Sequence, residues 1–200
     1  MNFAQFICKF PLTGRLLGPL GRQRASHFYR HFKPYLTRGE TVLDLGAGMG
    51  HLSDLLRHQG FEVTPVDVVD LSLVKEIKPQ IYDGLHLPYT TKQFDAVIIC
   101  TVLHHTPKPE KVLTEAARVA KKVILVEEIY HNDLQKLITF FFDSLSNFQF
   151  RHHPHTNKTD RKWRDTFKKL HLDLQKASYF TTYTIFQSVA YLLKTESKSS

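Results

Sequence analysis

The sequence predicts an α/β fold built on a parallel sheet with helices on both faces, and three observations carry this expectation. Apolar, β-prone runs at 41–45, 61–67, 94–100 and 122–128 alternate with segments of helical periodicity; alternation of this kind requires crossover helices that cover both faces of the sheet. A glycine cluster follows the first of these runs at once and leads into a helix, as at a ligand-binding strand–turn–helix junction. The chain has 200 residues, 42% of them apolar and 23% charged, which suits one domain with a real core.

The elements are expected in this order. Ala25 to Leu36 reads as a helix, because Phe28, Phe32 and Leu36 share a face. Thr41–Leu45 is a buried strand, and His51–His58 a helix with Leu52, Leu55 and Leu56 inward and Gly60 as its stop. Phe61–Asp67 is the second strand. Leu71–Lys78 reads as a brief helix ended by Pro79. Phe94–Cys100 is the third strand, Pro109–Ala120 a helix opened by proline, and Lys122–Glu128 another strand. Beyond it come an apolar helix around Leu134–Leu145, a His-rich loop from Phe150 to Arg161, and a helix carrying Trp163, Phe167 and Leu170. Two β-rich runs, Asp173–Phe180 and Ile185–Leu193, precede a polar tail at 195–200. The organisation is therefore a cover segment at 1–40, a domain at 41–194 with an insertion at about 129–163, and the tail.

Charge and composition narrow the function classes. The formal net charge is +8, and no acidic residue occurs before Glu40, whereas Lys9, Arg15, Arg22, Arg24, Arg30, Lys33 and Arg38 all do. Such a segment suits an anionic partner, a targeting role or a solvated basic helix. Cys8 and Cys100 form no Cys-x-x-Cys pair, which fits a reducing compartment. Apolar runs fall well short of the ~20 residues that span a bilayer. A cytoplasmic protein, or one peripheral at a membrane through its basic N-terminus, is expected, and organelle targeting stays open.

The informative stretch is Val42-Leu-Asp-Leu-Gly-Ala-Gly-Met-Gly50. Its glycines allow a tight turn and close approach of a ligand. Position 51 is His, so the dinucleotide pattern G-x-G-x-x-G is not completed, and no G-K-[ST] is present. Asp44, just before the first glycine, would repel a pyrophosphate but attract the ammonium of a methionine moiety. Asp67 ends the next strand, where a carboxylate can accept from both hydroxyls of a ribose. These features favour S-adenosylmethionine over NAD.

VLDLGAGMG, VTPVD, YDGLHLPY and FDAVIICTVLHHTPKPEKVLTEAARV, in this order and spacing, resemble successive motifs of the class I S-adenosylmethionine-dependent methyltransferases. The similarity is greatest to the small-molecule, type 11-like branch with "LPF" and "LHH" signatures. The resemblance spans roughly residues 41–128. It implies a Rossmann-like, doubly wound, seven-stranded, mostly parallel sheet with a C-terminal antiparallel strand. It also implies a cofactor site of Asp44, Gly46, Ala47, Gly48 and Gly50, with Asp67 and Val68 at the ribose. Asp83, Gly84 and Leu85 would lie at the adenine, and Thr101 with Leu103 beside the sulfonium. A turn role for Asp83 before Gly84 is the competing reading. Pro65 in place of a common glycine, the short segment between Asp67 and Asp83, and Val119-Ala-Lys-Lys122 in place of Pro-Gly-Gly depart from the family pattern.

A cofactor of this kind supplies the electrophilic methyl group, so the protein has to align an acceptor and exclude water. His105 and His104 are the candidate bases or acceptor-positioning groups. Tyr130 and His131 are candidate acceptor contacts. The cluster His152-His-Pro-His155 reads as a polar loop in preference to a metal site, for it brings no Cys and few carboxylates. The expected acceptor is small and aromatic or lipophilic, given Phe140, Phe141, Phe142, Phe148, Phe150 and Trp163 in the insertion and Phe28, Tyr29 and Phe32 in the cover segment. Two alternatives remain: an RNA methyltransferase, which basic charge with interleaved aromatics would suit, and a non-catalytic methyltransferase-like binding or assembly protein, against which the intact glycine loop and both acids weigh.

Overall fold

Strand β1 (Thr41–Leu45) lies at the centre of the molecule because its sequence, TVLDL, is apolar on both faces and four of its five residues are buried. It pairs in parallel with β2 (Glu62–Asp67) on one side and β4 (Phe94–Cys100) on the other. The computed structural model describes residues 11–130, 157–182 and 186–195. Its sheet has seven strands in the order β3-β2-β1-β4-β5-β7-β6, where β3 is Gln80–Ile81, β5 Ala120–Ile129, β6 Leu172–Thr182 and β7 Phe186–Thr195. All pairings are parallel except those of β7, which runs antiparallel to both neighbours. The doubly wound, mostly parallel sheet with an antiparallel C-terminal strand is thus the one expected.

Strand alternation sorts the core into two layers. Leu43, Leu45, Val97, Ile99, Val123 and Leu125 face one side, where α3 (Pro109–Val119) contributes Val112, Leu113 and Ala116 and α4 (Asp160–Lys169) contributes Trp163 and Phe167. Val42, Ala96, Ile98, Ile124 and Val126 face the other, under Leu56 of α2 (His51–His58) and Phe28, Tyr29 and Phe32 of α1 (Pro11–Phe32). A short 3-10 turn, Lys33–Tyr35, carries the chain from α1 toward β1.

Three differences from the sequence reading have physical causes. Helix α1 begins at Pro11, well before Ala25, although it contains Pro19 and several glycines. Those residues disfavour helix in isolation, and packing against α2, β6 and β7 overrides them. Gly21 is required there, because a Cβ would lie 2.0 Å from His51 Cδ2. Leu71–Lys78 is not a helix but a run of bends and turns. Ser72 Oγ donates to Val74 O and accepts from Val74 N, the local competition by which serine displaces helical hydrogen bonds. The residues that follow form β3, too short to show a strand pattern. The expected helix at 134–145, His131 and the cluster His152–His155 lie outside the described residues.

Candidate functional site

The order of the strands reverses between β1 and β4, and in open α/β sheets ligands bind at such a switch point, outside the carboxyl ends of the strands. The glycine loop and Thr101 both sit there, one after β1 and the other after β4.

The loop is shaped by φ values only glycine adopts at little cost: Gly46 at 83°, Gly48 at 52° and Gly50 at 82°. Gly46 N and Ala47 N donate to Val66 O at 2.8 and 3.1 Å, tying the turn to the end of β2. The three glycines differ in what lies beyond them. A Cβ on Gly46 would fall 2.4 Å from Val102 Cγ2, and one on Gly50 would fall 2.7 Å from Ser72 Oγ. A Cβ on Gly48 would meet no heavy atom nearer than Gly46 O at 3.9 Å. Gly46 and Gly50 therefore serve close packing within the fold, and Gly48 presents bare backbone to open space.

Two carboxylates flank this loop. Asp44 is 1% exposed and accepts from Ser53 Oγ at 2.6 Å. Burial raises its pKa to about 6; the Ser53 hydrogen bond opposes that shift, and the charge of Asp67 adds to it. Asp67 accepts from Gly48 N at 2.8 Å through Oδ2 and from Val68 N at 2.7 Å through Oδ1. Burial also raises the pKa of Asp67, against those backbone donors. Asp67 thus links the glycine loop to the end of β2.

Asp83 lies in an exposed turn with Gly84 at a φ of 83°. Its Oδ1 accepts from Leu85 N and His86 N at 2.7 and 2.6 Å, and its Oδ2 lies 2.7 Å from His86 Nδ1. These bonds hold its pKa down to about 2, the His86 backbone N–H being the largest contribution. A Cβ on Gly84 would lie 3.2 Å from Val68 Cγ1, so this turn comes close to the residue after Asp67. The turn is anchored from behind by residues that the sequence reading did not single out. Arg118 donates to Leu87 O and Tyr89 O, and Glu115 accepts from Leu87 N. Met49, Val68 and Ile81 are exposed apolar side chains of the loops and strand ends on this side of the sheet.

At the end of β4, Thr101 adopts a φ of 56°, a strained conformation for a β-branched residue. Its Oγ1 donates to Cys100 O at 2.7 Å and accepts from Arg24 Nη2 of α1 at 3.0 Å. The 3-10 turn Leu103–His105 follows. His104 is buried, with Nδ1 2.6 Å from Glu127 Oε2, while His105 is half-buried with its ring centroid 3.9 Å from that of His104. Leu103 is fully buried in the core and Tyr130 is buried at the end of β5. The structure thus brings Asp44, Gly46, Ala47, Gly48, Gly50, Asp67, Val68 and Thr101 to one region, with the Asp83–Leu85 turn at its edge beside Val68.

Residues 43–123 match the family model described as "Methyltransferase domain". The ubiquinone biosynthesis O-methyltransferase of Pseudomonas paraeruginosa is 31% identical over 94 residues, which cover 42% of this chain and 40% of that protein. The demethylmenaquinone methyltransferase of Lactobacillus johnsonii is 33% identical over 109 residues, covering 47% of this chain and 44% of that protein. The chain therefore spans less than half the length of these curated relatives. Among solved structures, the magnesium protoporphyrin IX methyltransferase of Synechocystis with bound SAH superposes with a TM-score of 0.63 at 17% identity, covering 97% of this chain and 88% of that one. A SAM-dependent methyltransferase of Methanosarcina mazei gives 0.63 at 18% identity, covering 83% and 97%. In its fold, its glycine loop and this match over residues 43–123, the chain is similar to the class I S-adenosylmethionine-dependent methyltransferases.

Proposed function

We propose that the protein transfers a methyl group from S-adenosylmethionine to a small lipophilic acceptor of the quinol or phenol type. The observation that carries this reading is the open face of Gly48, set between two carboxylates whose pKa values burial raises, at the sheet's switch point. A cationic, ribose-bearing ligand fits this donor set: Asp44 suits an ammonium, Asp67 a ribose diol, and exposed Met49 and Val68 an adenine face. Asp83 already has both oxygens engaged by its turn, so its role is to shape the Gly84–Leu85 edge. Thr101 borders the acceptor side.

The cofactor supplies an electrophilic methyl on a sulfonium. The acceptor oxygen forms the new O–C bond as the S–C bond breaks, and the hydroxyl proton leaves to a base. His105 is the base in this reading, which its half-buried position on the turn that follows Thr101 supports, whereas His104 is buried against Glu127. The acceptor class rests on the relatives named for ubiquinone biosynthesis and demethylmenaquinone methylation. A membrane-surface encounter through the basic N-terminal segment suits such an acceptor.

Calorimetric titration with S-adenosylmethionine, followed by transfer of labelled methyl to short-chain prenylated catechols and naphthoquinols, tests the proposal. Saturable binding lost in Asp67→Ala, together with label in the organic phase, supports it. A folded native protein that binds no cofactor overturns it.

A further inference from the structure

Glu127 is 1% exposed, and among the described residues no Lys or Arg pairs with it. A buried carboxylate is costly unless donors surround it. Here the donors come from one short segment. Oε1 accepts from Val102 N at 3.1 Å and Leu103 N at 2.8 Å, and Oε2 lies 2.6 Å from His104 Nδ1. One side chain at the end of β5 therefore holds three successive residues of the turn after β4. The same turn begins at Thr101, whose backbone is strained and whose N donates to Val126 O at 2.8 Å. It ends at His105, whose ring packs on that of His104.

We propose that Glu127 is a positioning residue for methyl transfer: its carboxylate sets the tautomer of His104 and the path of residues 101–105, and thereby places His105 at the acceptor side. This rests on the methyltransferase reading above. An imidazole whose Nδ1–H donates to a carboxylate keeps its other nitrogen as the acceptor, so the carboxylate fixes ring orientation as well as tautomer. Glu127 also explains why a βαβ unit tolerates an acid on its inward face. Val123, Leu125 and Ile129 share that face in the core, and Glu127 falls between them by strand alternation.

The test compares native protein with Glu127→Gln, a change that preserves shape. Nitrogen-15 NMR of histidine-labelled protein reads the His104 tautomer without any acceptor. The native protein is expected to carry its proton on Nδ1. In the variant the glutamine amide turns a donor toward the ring, and the proton moves to Nε2. Cofactor affinity is expected to stay within about threefold. Turnover of a short-chain prenylated catechol is expected to fall on the order of 100-fold in kcat, as for misplacement of a reacting group by about 1 Å. A native His104 protonated on Nε2, or a variant with the new tautomer and unchanged kcat, overturns the proposal. If Glu127→Gln does not fold, the tautomer and the exchange protection of the Val102 and Leu103 amides in the native protein decide the clamp. A native protein that binds no cofactor but shows the Nδ1 tautomer would sink the methyltransferase reading and leave the clamp standing.

Discussion

The Asp44 carboxylate and the Ser53 hydroxyl lie 2.6 Å apart in a place that solvent barely reaches, and burial outweighs this hydrogen bond in setting the Asp44 pKa near 6. The folded chain therefore keeps a proton that the unfolded chain releases above about pH 4. This favours the folded state at low pH, and the advantage is lost as the pH rises through 6. A shift of this size corresponds to about 3 kcal/mol. Asp44→Asn is expected to remove that component of the pH dependence between about pH 4 and 6, as read by urea unfolding across the range. Binding of the cationic cofactor to native protein should strengthen as Asp44 ionises through pH 6, and that gain should vanish in the variant. Asp83, held down to about 2, does not titrate in this window. A wild-type pH profile that survives unchanged in Asp44→Asn would rule this assignment out.

Gly46 and Gly48 offer a pair of opposite substitutions. Gly48→Ala places its Cβ in open space at a φ of 52°, so it is expected to cost about 1 kcal/mol of stability for the left-handed backbone. Its methyl projects where the cofactor would lie, and affinity should fall at least tenfold, by about 1.4 kcal/mol or more. Gly46→Ala instead drives a methyl into Val102 at a φ of 83°, and roughly 2–4 kcal/mol is expected from overpacking and strain together. Thermal unfolding separates the two, and calorimetry shows whether the milder change is the one specific to binding. Equal destabilisation would mean that the space over Gly48 is already filled.

The anchor behind the Asp83 turn gives a third expectation. Arg118 donates to two carbonyls of the loop and pairs with Glu115, which in turn accepts from Leu87 N. Arg118→Lys keeps the charge and gives up the fork geometry. Amide exchange at residues 83–90 is expected to rise in this variant, with cofactor affinity reduced several-fold and global stability lowered by about 1–2 kcal/mol. Unchanged exchange there would show that the turn holds itself.

Most of the central sheet was legible because each strand holds a short apolar run, with Thr41–Leu45 closed by Gly46 and Glu62–Asp67 by its acid, and Thr41–Leu45 and Phe94–Cys100 fall where the pattern puts them. The glycine loop, Asp44 and Asp67 were legible for the same reason, each lying at the end of such a run. What periodicity hides is long-range. Nothing local marks the N-terminal half of α1 as helical, since Gly21 and Pro19 argue against it and only the His51 ring explains Gly21. Nor does sequence show that Arg24 reaches Thr101, 77 positions away. Glu127 had a faint signal, an acid in phase with the buried residues of its strand, which composition alone does not distinguish from a strand-ending polar residue.

Helix α1 is fastened to the end of β6 through Phe180, and this contact yields the last prediction. Phe180 is 8% exposed, stacks on His31 at 3.8 Å and 3°, and meets His27 and Phe28 edge-on at 5.4 and 6.0 Å. Phe180→Ala is expected to cost about 3 kcal/mol, at the lower end for a buried phenylalanine because the site lies at the edge of the core. The same contact should respond to acid. Burial lowers the pKa of His31, and His27 and Arg30 add to the shift. A group with a lowered basic pKa stabilises the fold above its unfolded value of about 6.5, and this contribution is lost as the pH falls below that. Amide exchange in residues 24–32 should therefore rise between about pH 7 and 5 in native protein, faster than in β1. His31→Phe should keep the stack, abolish the acid sensitivity and leave the neutral-pH protection intact. If acidification loosens α1 equally in that variant, the sensitivity lies elsewhere, with His51, whose pKa burial lowers and whose ring lies against Gly21 of α1, as the next group to test.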